Sequence, residues 1–137
     1  MFGSNKTKLS ASGLDSVETL IGGQVVIQGD LLFSGGLYVE GKILGNIIAK
    51  EGNDSLITLA QSGVIEGNIS APKMVISGRV TGDIHSHERI ELTETAYIQG
   101  NIHYRQIEIP AGATVSGQLI HLQPPDQNLH LPPPAGS

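Results

Sequence analysis

Residues 57–69 read Ile57-Thr58-Leu59-Ala60-Gln61-Ser62-Gly63-Val64-Ile65-Glu66-Gly67-Asn68-Ile69, and the pattern returns twice downstream. Ile90-x-Leu92 leads through Ala96 to Tyr97-Ile98-Gln99-Gly100-Asn101-Ile102, and Ile107-x-Ile109 leads through Ala113 to Thr114-Val115-Ser116-Gly117-Gln118-Leu119. A denser form occupies Leu37-x-Val39-x-Gly41-x-Ile43-x-Gly45-x-Ile47 and Met74-x-Ile76-x-Gly78-x-Val80-x-Gly82-x-Ile84, after a partial first copy, Val25-x-Ile27-x-Gly29-x-Leu31. The marker glycines 29, 45, 67, 82, 100 and 117 are 16, 22, 15, 18 and 17 residues apart. The longest step contains Glu51-Gly52-Asn53-Asp54-Ser55, which suits a loop bulging between repeats.

Self-similarity at such a period marks a solenoid. Successive side chains of a strand point to opposite faces, so Ile57, Leu59, Gly63, Ile65, Gly67 and Ile69 are expected on one side, with Thr58, Glu66 and Asn68 on the other. One coil cannot bury that apolar stripe alone. Stacking coils about 4.8 Å apart buries it and pairs the backbone in parallel ladders. A coil of about 18 residues divides into three short strands. The spacing therefore predicts an all-β fold: a single parallel β-helix, three-faced, of about six coils. The crossover rule favours a right-handed coil. A left-handed hexapeptide helix would instead place an apolar residue at every sixth position. A β-sandwich also suits alternation, but it accounts less well for the aligned glycines. Asp30, Asn46, Asn68, Asp83, Asn101 and Gln118 recur directly after the markers, a position where Asn and Asp satisfy the backbone of a turn.

Three zones follow: a tail over residues 1–22, the β-helix over 23–122, and a tail over 123–137 with Pro124, Pro125, Pro132, Pro133 and Pro134, which cannot pair as strands. Charged residues are 15% of the 137 and aromatics 4%, with 18 glycines. That suits thin stacked strands rather than a bulky core. The absence of cysteine excludes disulfides and thiolate metal sites. No apolar run approaches the roughly 20 residues of a spanning helix, and the start lacks a secretory pattern, so the cytoplasm is the expected location. Between residues 24 and 122 ten acids face six bases. An acidic body is a poor partner for nucleic acid, whose phosphates need clustered Lys and Arg.

The repeats Ile-Gln-Gly-Asn-Ile, Val-Glu-Gly-Lys-Ile-Leu-Gly-Asn-Ile and Ile-Ser-Gly-Arg-Val-Thr-Gly-Asp-Ile resemble those of the bactofilins over roughly residues 20–122. The resemblance implies a bacterial cytoskeletal protein that polymerises with itself, end to end, without nucleotide or cofactor. It further implies attachment to inner-membrane lipids through the N-terminal tail, and scaffolding of cell-wall or morphogenesis proteins.

An uncapped β-helix presents unpaired backbone and core side chains at both ends, which template association; soluble solenoids end in polar repeats. Here the first coil offers Val25, Ile27, Leu31, Leu32 and Phe33, and the last offers Val115, Leu119, Ile120 and Leu122. Val25, Ile27 and Phe33 are expected to form one polymer contact and Leu119, Ile120 and Leu122 the other. Tails folded over the ends are the alternative. In the N-terminal tail, Met1, Phe2, Lys6, Lys8 and Leu9 combine apolar groups with positive charge. Burying Phe2 at a bilayer would contribute about 1.5–3 kcal/mol, and each Lys near anionic lipid about 1 kcal/mol. One tail would bind weakly and many on one filament firmly. On residues alone an inert start remains open; the resemblance favours the membrane. The proline-rich end reads as a spacer or a docking peptide.

An enzyme is the main rival. His85, His103 and His121 recur 18 apart. Trimeric β-helix enzymes of the carbonic anhydrase type hold zinc with three histidines. However, His121 follows an extra Ile120, so its register differs, and an exposed corner ladder is the simpler expectation. Acyltransfer by a β-helix or a closed oligomeric binding module are further alternatives; no metal, cofactor or catalytic residue is expected.

Overall fold

The computed structural model describes residues 17–50 and 54–122. Alternation produces short strands, and all of their described pairings are parallel. The first coil is β1 (Val17–Ile21), β2 (Val26–Gln28) and β3 (Leu31–Phe33); the second is β4 (Gly36–Val39), β5 (Lys42–Leu44) and β6 (Ile47–Ala49). β7 (Leu56–Leu59), β8 (Val64–Glu66) and the start of β9 (Ile69–Ile76) form the third. The rest of β9, β10 (Arg79–Thr81) and the start of β11 (Ile84–Leu92) form the fourth. The end of β11, β12 (Tyr97–Gln99) and β13 (Ile102–Tyr104) form the fifth, and β14 (Gln106–Glu108), β15 (Thr114–Ser116) and β16 (Leu119–His121) the sixth. β9 and β11 run through a corner, so two of the three faces join as one ten-stranded sheet while the second face is a separate six-stranded sheet.

The fold is thus a parallel β-helix of six coils and three faces. β1 precedes residue 23, where the sequence pattern becomes readable: Val17-Glu18-Thr19-Leu20-Ile21 has no marker glycine ahead of it.

Like side chains stack on like. Ile27, Ile43, Ile65, Val80, Ile98 and Val115 share one inward column on the second face. Ile47, Ile69, Ile84, Ile102 and Leu119 do so on the third face. On the first, Leu37, Ile57, Met74, Ile90 and Ile107 do the same. Ile43, Ile65, Ile69, Ile84 and Ile98 are fully buried. Each such side chain stabilises by about 1.5–3 kcal/mol relative to exposure.

The marker glycines are explained differently from the expectation that Gly67 points inward with the isoleucines. They sit at the corner between the second and third faces. A Cβ on Gly67 would fall on the Gly45 carbonyl, and one on Gly82 on the Gly67 carbonyl. The constraint therefore acts along the helix axis, from coil to coil. Gly82 also has φ of 144°, which L side chains avoid.

Beside this column runs a polar ladder. The N–H groups of Asn46, Asn68 and Asp83 donate to Asp30 Oδ1, Asn46 Oδ1 and Asn68 Oδ1, each at 3.0 Å. Those of Asn101 and Gln118 donate to Asp83 Oδ1 at 3.1 Å and Asn101 Oδ1 at 3.0 Å. The recurrent polar position satisfies turn backbone as expected, each time on the next coil. Asn68→Ala removes the acceptor for Asp83 N–H and is expected to lower stability by about 0.5–1.5 kcal/mol in urea unfolding. Gln118→Ala, whose side chain lies on the last coil, is expected to change nothing measurable.

Candidate functional site: the two ends of the helix

Inside the helix each core side chain lies between two neighbours in its column. At the last coil that support stops. Ile102 is fully buried, whereas Leu119, its partner on the sixth coil, is 44% exposed, and Ile109 is 43% exposed. Ile107 and Val115 pack on the core but are only partly buried. Among the described residues this end is an apolar section through the core, framed by the outer edges of β14, β15 and β16.

The first coil closes differently. Phe33 and Ile21 are 7% and 6% exposed. Phe33 is in register with Ala49, and further up Ala71 is in register with Ser86. A large ring at the first level fills the floor beneath small side chains. This coil also exposes Leu20, Val26 and Leu32, which point outward from its faces, and Val25. At the corner occupied by Val25, the corresponding second-coil residue is Gly41, whose added Cβ would meet the Val25 and Gly22 carbonyls. The Cβ direction there follows the axis, so Val25 is aimed out of this end.

The expected contact residues are therefore placed unevenly. Val25 is exposed, Ile27 half-buried and Phe33 buried within the single chain. Leu119 and Ile120 are adjacent in one strand and so point opposite ways: Leu119 continues the inward column, while Ile120 is in register with the outward His103. Leu122 is half-buried, its N–H donating to the Tyr104 carbonyl at 2.6 Å. Ile109 belongs with the last end and was not among the expected contacts. The Ile107-x-Ile109 pair in the last repeat was the available signal for it. Met1, Phe2, Lys6, Lys8 and Leu9 lie outside the described residues. Among the described residues no helix is long and apolar enough to cross a membrane.

The three histidines do not converge. His85 and His103 stack with ring centroids 4.2 Å apart and planes 5° apart. His121 instead pairs with Tyr104, edge to ring at 5.4 Å, and its Nε2 lies 3.2 Å from the Arg105 carbonyl oxygen. The stacked pair stands mid-strand on the third face, not at a corner, and is half-buried. Burial first, and the adjacent His103 second, hold the His85 imidazole below its ordinary pKa. Among the described residues no group of three or more His, Asp or Glu is arranged to hold a metal ion.

In comparisons with known proteins, residues 19–120 match the family model described as bactofilin, polymer-forming cytoskeletal. The chain is similar to bactofilin BacO of Myxococcus xanthus (strain DK1622), with 33% identity over 101 residues covering 74% of this chain and 77% of the relative. It is also similar to bactofilin BacP of the same organism, with 27% identity over 110 residues covering 80% of this chain and 43% of the relative. No solved structure matches the chain.

Proposed function

Because the chain belongs to the bactofilin family of polymer-forming cytoskeletal proteins, we propose that it is a scaffold that assembles end to end into filaments without nucleotide. One observation carries this reading: the inward column runs from a fully buried Ile102 to a Leu119 that is 44% exposed. The sixth coil thus offers a surface chemically equivalent to the interior of its own core. A second chain stacked on that end would bury Leu119, Ile109 and Val115 and pair the free strand edges. Val25 and Ile27 of the first coil, with its free strand edges, supply the contact at the other end. No catalytic group, metal or cofactor enters this function.

The filament is attached to the inner face of the cytoplasmic membrane by Met1, Phe2, Lys6, Lys8 and Leu9, and it holds cell-wall or morphogenesis proteins along its length. Support for the tail comes from its apolar and cationic composition, which gives weak single-site binding multiplied by polymer avidity. Deleting residues 1–9 is expected to abolish co-sedimentation with anionic vesicles while leaving the polymer able to pellet alone. Retained vesicle binding would remove the tail from this role.

Light scattering coupled to size separation, without nucleotide or metal, tests the assembly itself. A broad and very large species is expected. One discrete small mass would indicate the closed oligomeric module instead.

A further inference from the structure

The first face carries two outward columns. In one, Val17 is in register with Gly36, Gly36 with Leu56, Leu56 with Lys73, Lys73 with Arg89, and Arg89 with Gln106. In the other, Leu20 is followed by Tyr38, Thr58, Val75, Glu91 and Glu108. A hollow of about 240 Å³ lies along these columns. Leu56, Met74 and Val75 give it an apolar lining, and Lys73, Glu88, Arg89 and Glu91 a charged one. Lys73 pairs with Asp54 at 2.9 Å, and Arg89 with Glu91 at 3.0 Å and with Glu108 at 2.9 Å. With Glu88, four carboxylates thus stand against two cations. The hollow suits an occupant that is apolar and cationic.

From this geometry we infer that the hollow is the docking site of the chain's own N-terminal segment. Leu9 sits on Leu56, Met74 and Val75, with Lys6 and Lys8 beside Glu88 and Glu91. Three observations select this occupant. First, residues 1–14 carry Lys6 and Lys8 and no acid, and Leu9 adjoins Lys8. Residues 123–137 carry Asp126 and no Lys or Arg, so they do not complement the site. Second, the segment joins the helix at Val17, in the same column as Leu56 and Lys73, and Gly36 between them has no side chain to block the way. Third, the length suffices. Val17 lies three coils from Lys73, about 14 Å along the axis. The eight residues back to Leu9 reach up to about 26 Å.

Tethering makes a weak contact sufficient. A short linker gives an effective concentration on the order of 1 mM, so a contact with a dissociation constant of about 0.1 mM is about nine-tenths occupied. Docking then withholds Lys6, Lys8 and Leu9 from lipid. The apparent lipid affinity falls with the undocked fraction, by about tenfold. Anionic lipid in turn pulls the segment out of the hollow, so docking and attachment oppose each other. The lipid half of this inference rests on the membrane-attachment reading above; the docking itself does not.

The test begins with a cross-link, because the chain has no cysteine of its own. Leu9→Cys is combined in the full chain with Val75→Cys, and separately with Val64→Cys as the control. Val64 is equally half-buried but faces outward on the second face, in register with Lys42 and Arg79. Mild oxidation followed by denaturing electrophoresis and mass measurement reads the product. Most chains with the Val75 pair are expected to close a disulfide within one chain, and those with the Val64 pair to stay reduced. Equal yields from the two pairs overturn the proposal. Disulfides that join two chains also overturn it, by giving the hollow to a second copy.

Competition is read with anionic vesicles and the uncharged substitutions Val75→Gln and Val64→Gln, which leave the electrostatic attraction to lipid unaltered. Val75→Gln is expected to lower the lipid concentration for half-binding by about tenfold, and Val64→Gln to leave it unchanged. Excess anionic vesicles should also suppress the Leu9–Val75 cross-link, while neutral vesicles do not. Unchanged lipid binding by Val75→Gln, or a cross-link indifferent to vesicles that the chain binds, overturns the competition. A selective cross-link in a chain that binds no vesicles upholds the docking and removes the membrane reading instead.

Discussion

Gly82→Ala is expected to lower the stability of the folded chain by about 2–6 kcal/mol, combining about 1–3 for backbone strain and about 1–3 for overpacking. Gly82 holds φ at 144°, and its added Cβ would fall on the Gly67 carbonyl of the preceding coil. The stabilisation of about 0.4–1 kcal/mol that Ala brings by restricting the unfolded chain does not offset this. The contact is backbone on backbone, so no side chain can rotate away; the coils must separate locally and lose ladder bonds. Gly29→Ala isolates one cause. Gly29 has φ of 129° but nothing within 4 Å of its added Cβ, so only the strain remains. Urea unfolding of both variants as single chains measures the difference. A Gly82→Ala loss no greater than that of Gly29→Ala would contradict axial close approach as the reason for the marker glycines.

Leu119→Arg is expected to abolish long filaments while leaving a folded chain. In the single chain Leu119 is already 44% exposed, so a guanidinium there can reach water. At a stacked end it would be buried without a partner, which costs several kcal/mol. Each 1.4 kcal/mol is about tenfold in an association constant, so the concentration needed for assembly should rise by about a hundredfold or more. Sedimentation of the pelletable fraction against total concentration reads this. Ile120→Arg separates the two sides of the strand. Ile120 lies outward beside His103, so this variant is expected to keep filament length. Long filaments from Leu119→Arg, or short species only from Ile120→Arg, would reverse the assignment.

The coil count and the inward columns are legible because the alternation and the marker glycines repeat in every coil, and stacking then aligns Ile27, Ile43 and Ile65 without further information. Features that depend on register across coils are not legible in that way. The 18-residue spacing of His85, His103 and His121 is regular. Yet the step from Ile102 to its stacked partner Leu119 is 17 residues, so His121 overshoots by one and meets Tyr104. The same limit hid the role of Phe33. A terminal Phe reads as an exposed contact until the register sets it below Ala49, where it fills the floor. Alternation counted straight through a corner sent Gly67 inward; the turn at the marker reorients it along the axis.

Diffraction of aligned filaments assembled without nucleotide tests end-to-end stacking. If chains stack end to end along the helix axis, strands run across the filament and coils repeat along it. A reflection at about 4.8 Å should then lie on the meridian. A subunit repeat of about 29 Å, six such spacings, or a simple multiple of it should accompany that reflection. The same 4.8 Å spacing on the equator would mean chains joined through their lateral faces, and a uniform population of small particles would mean no polymer at all; either result contradicts end-to-end assembly.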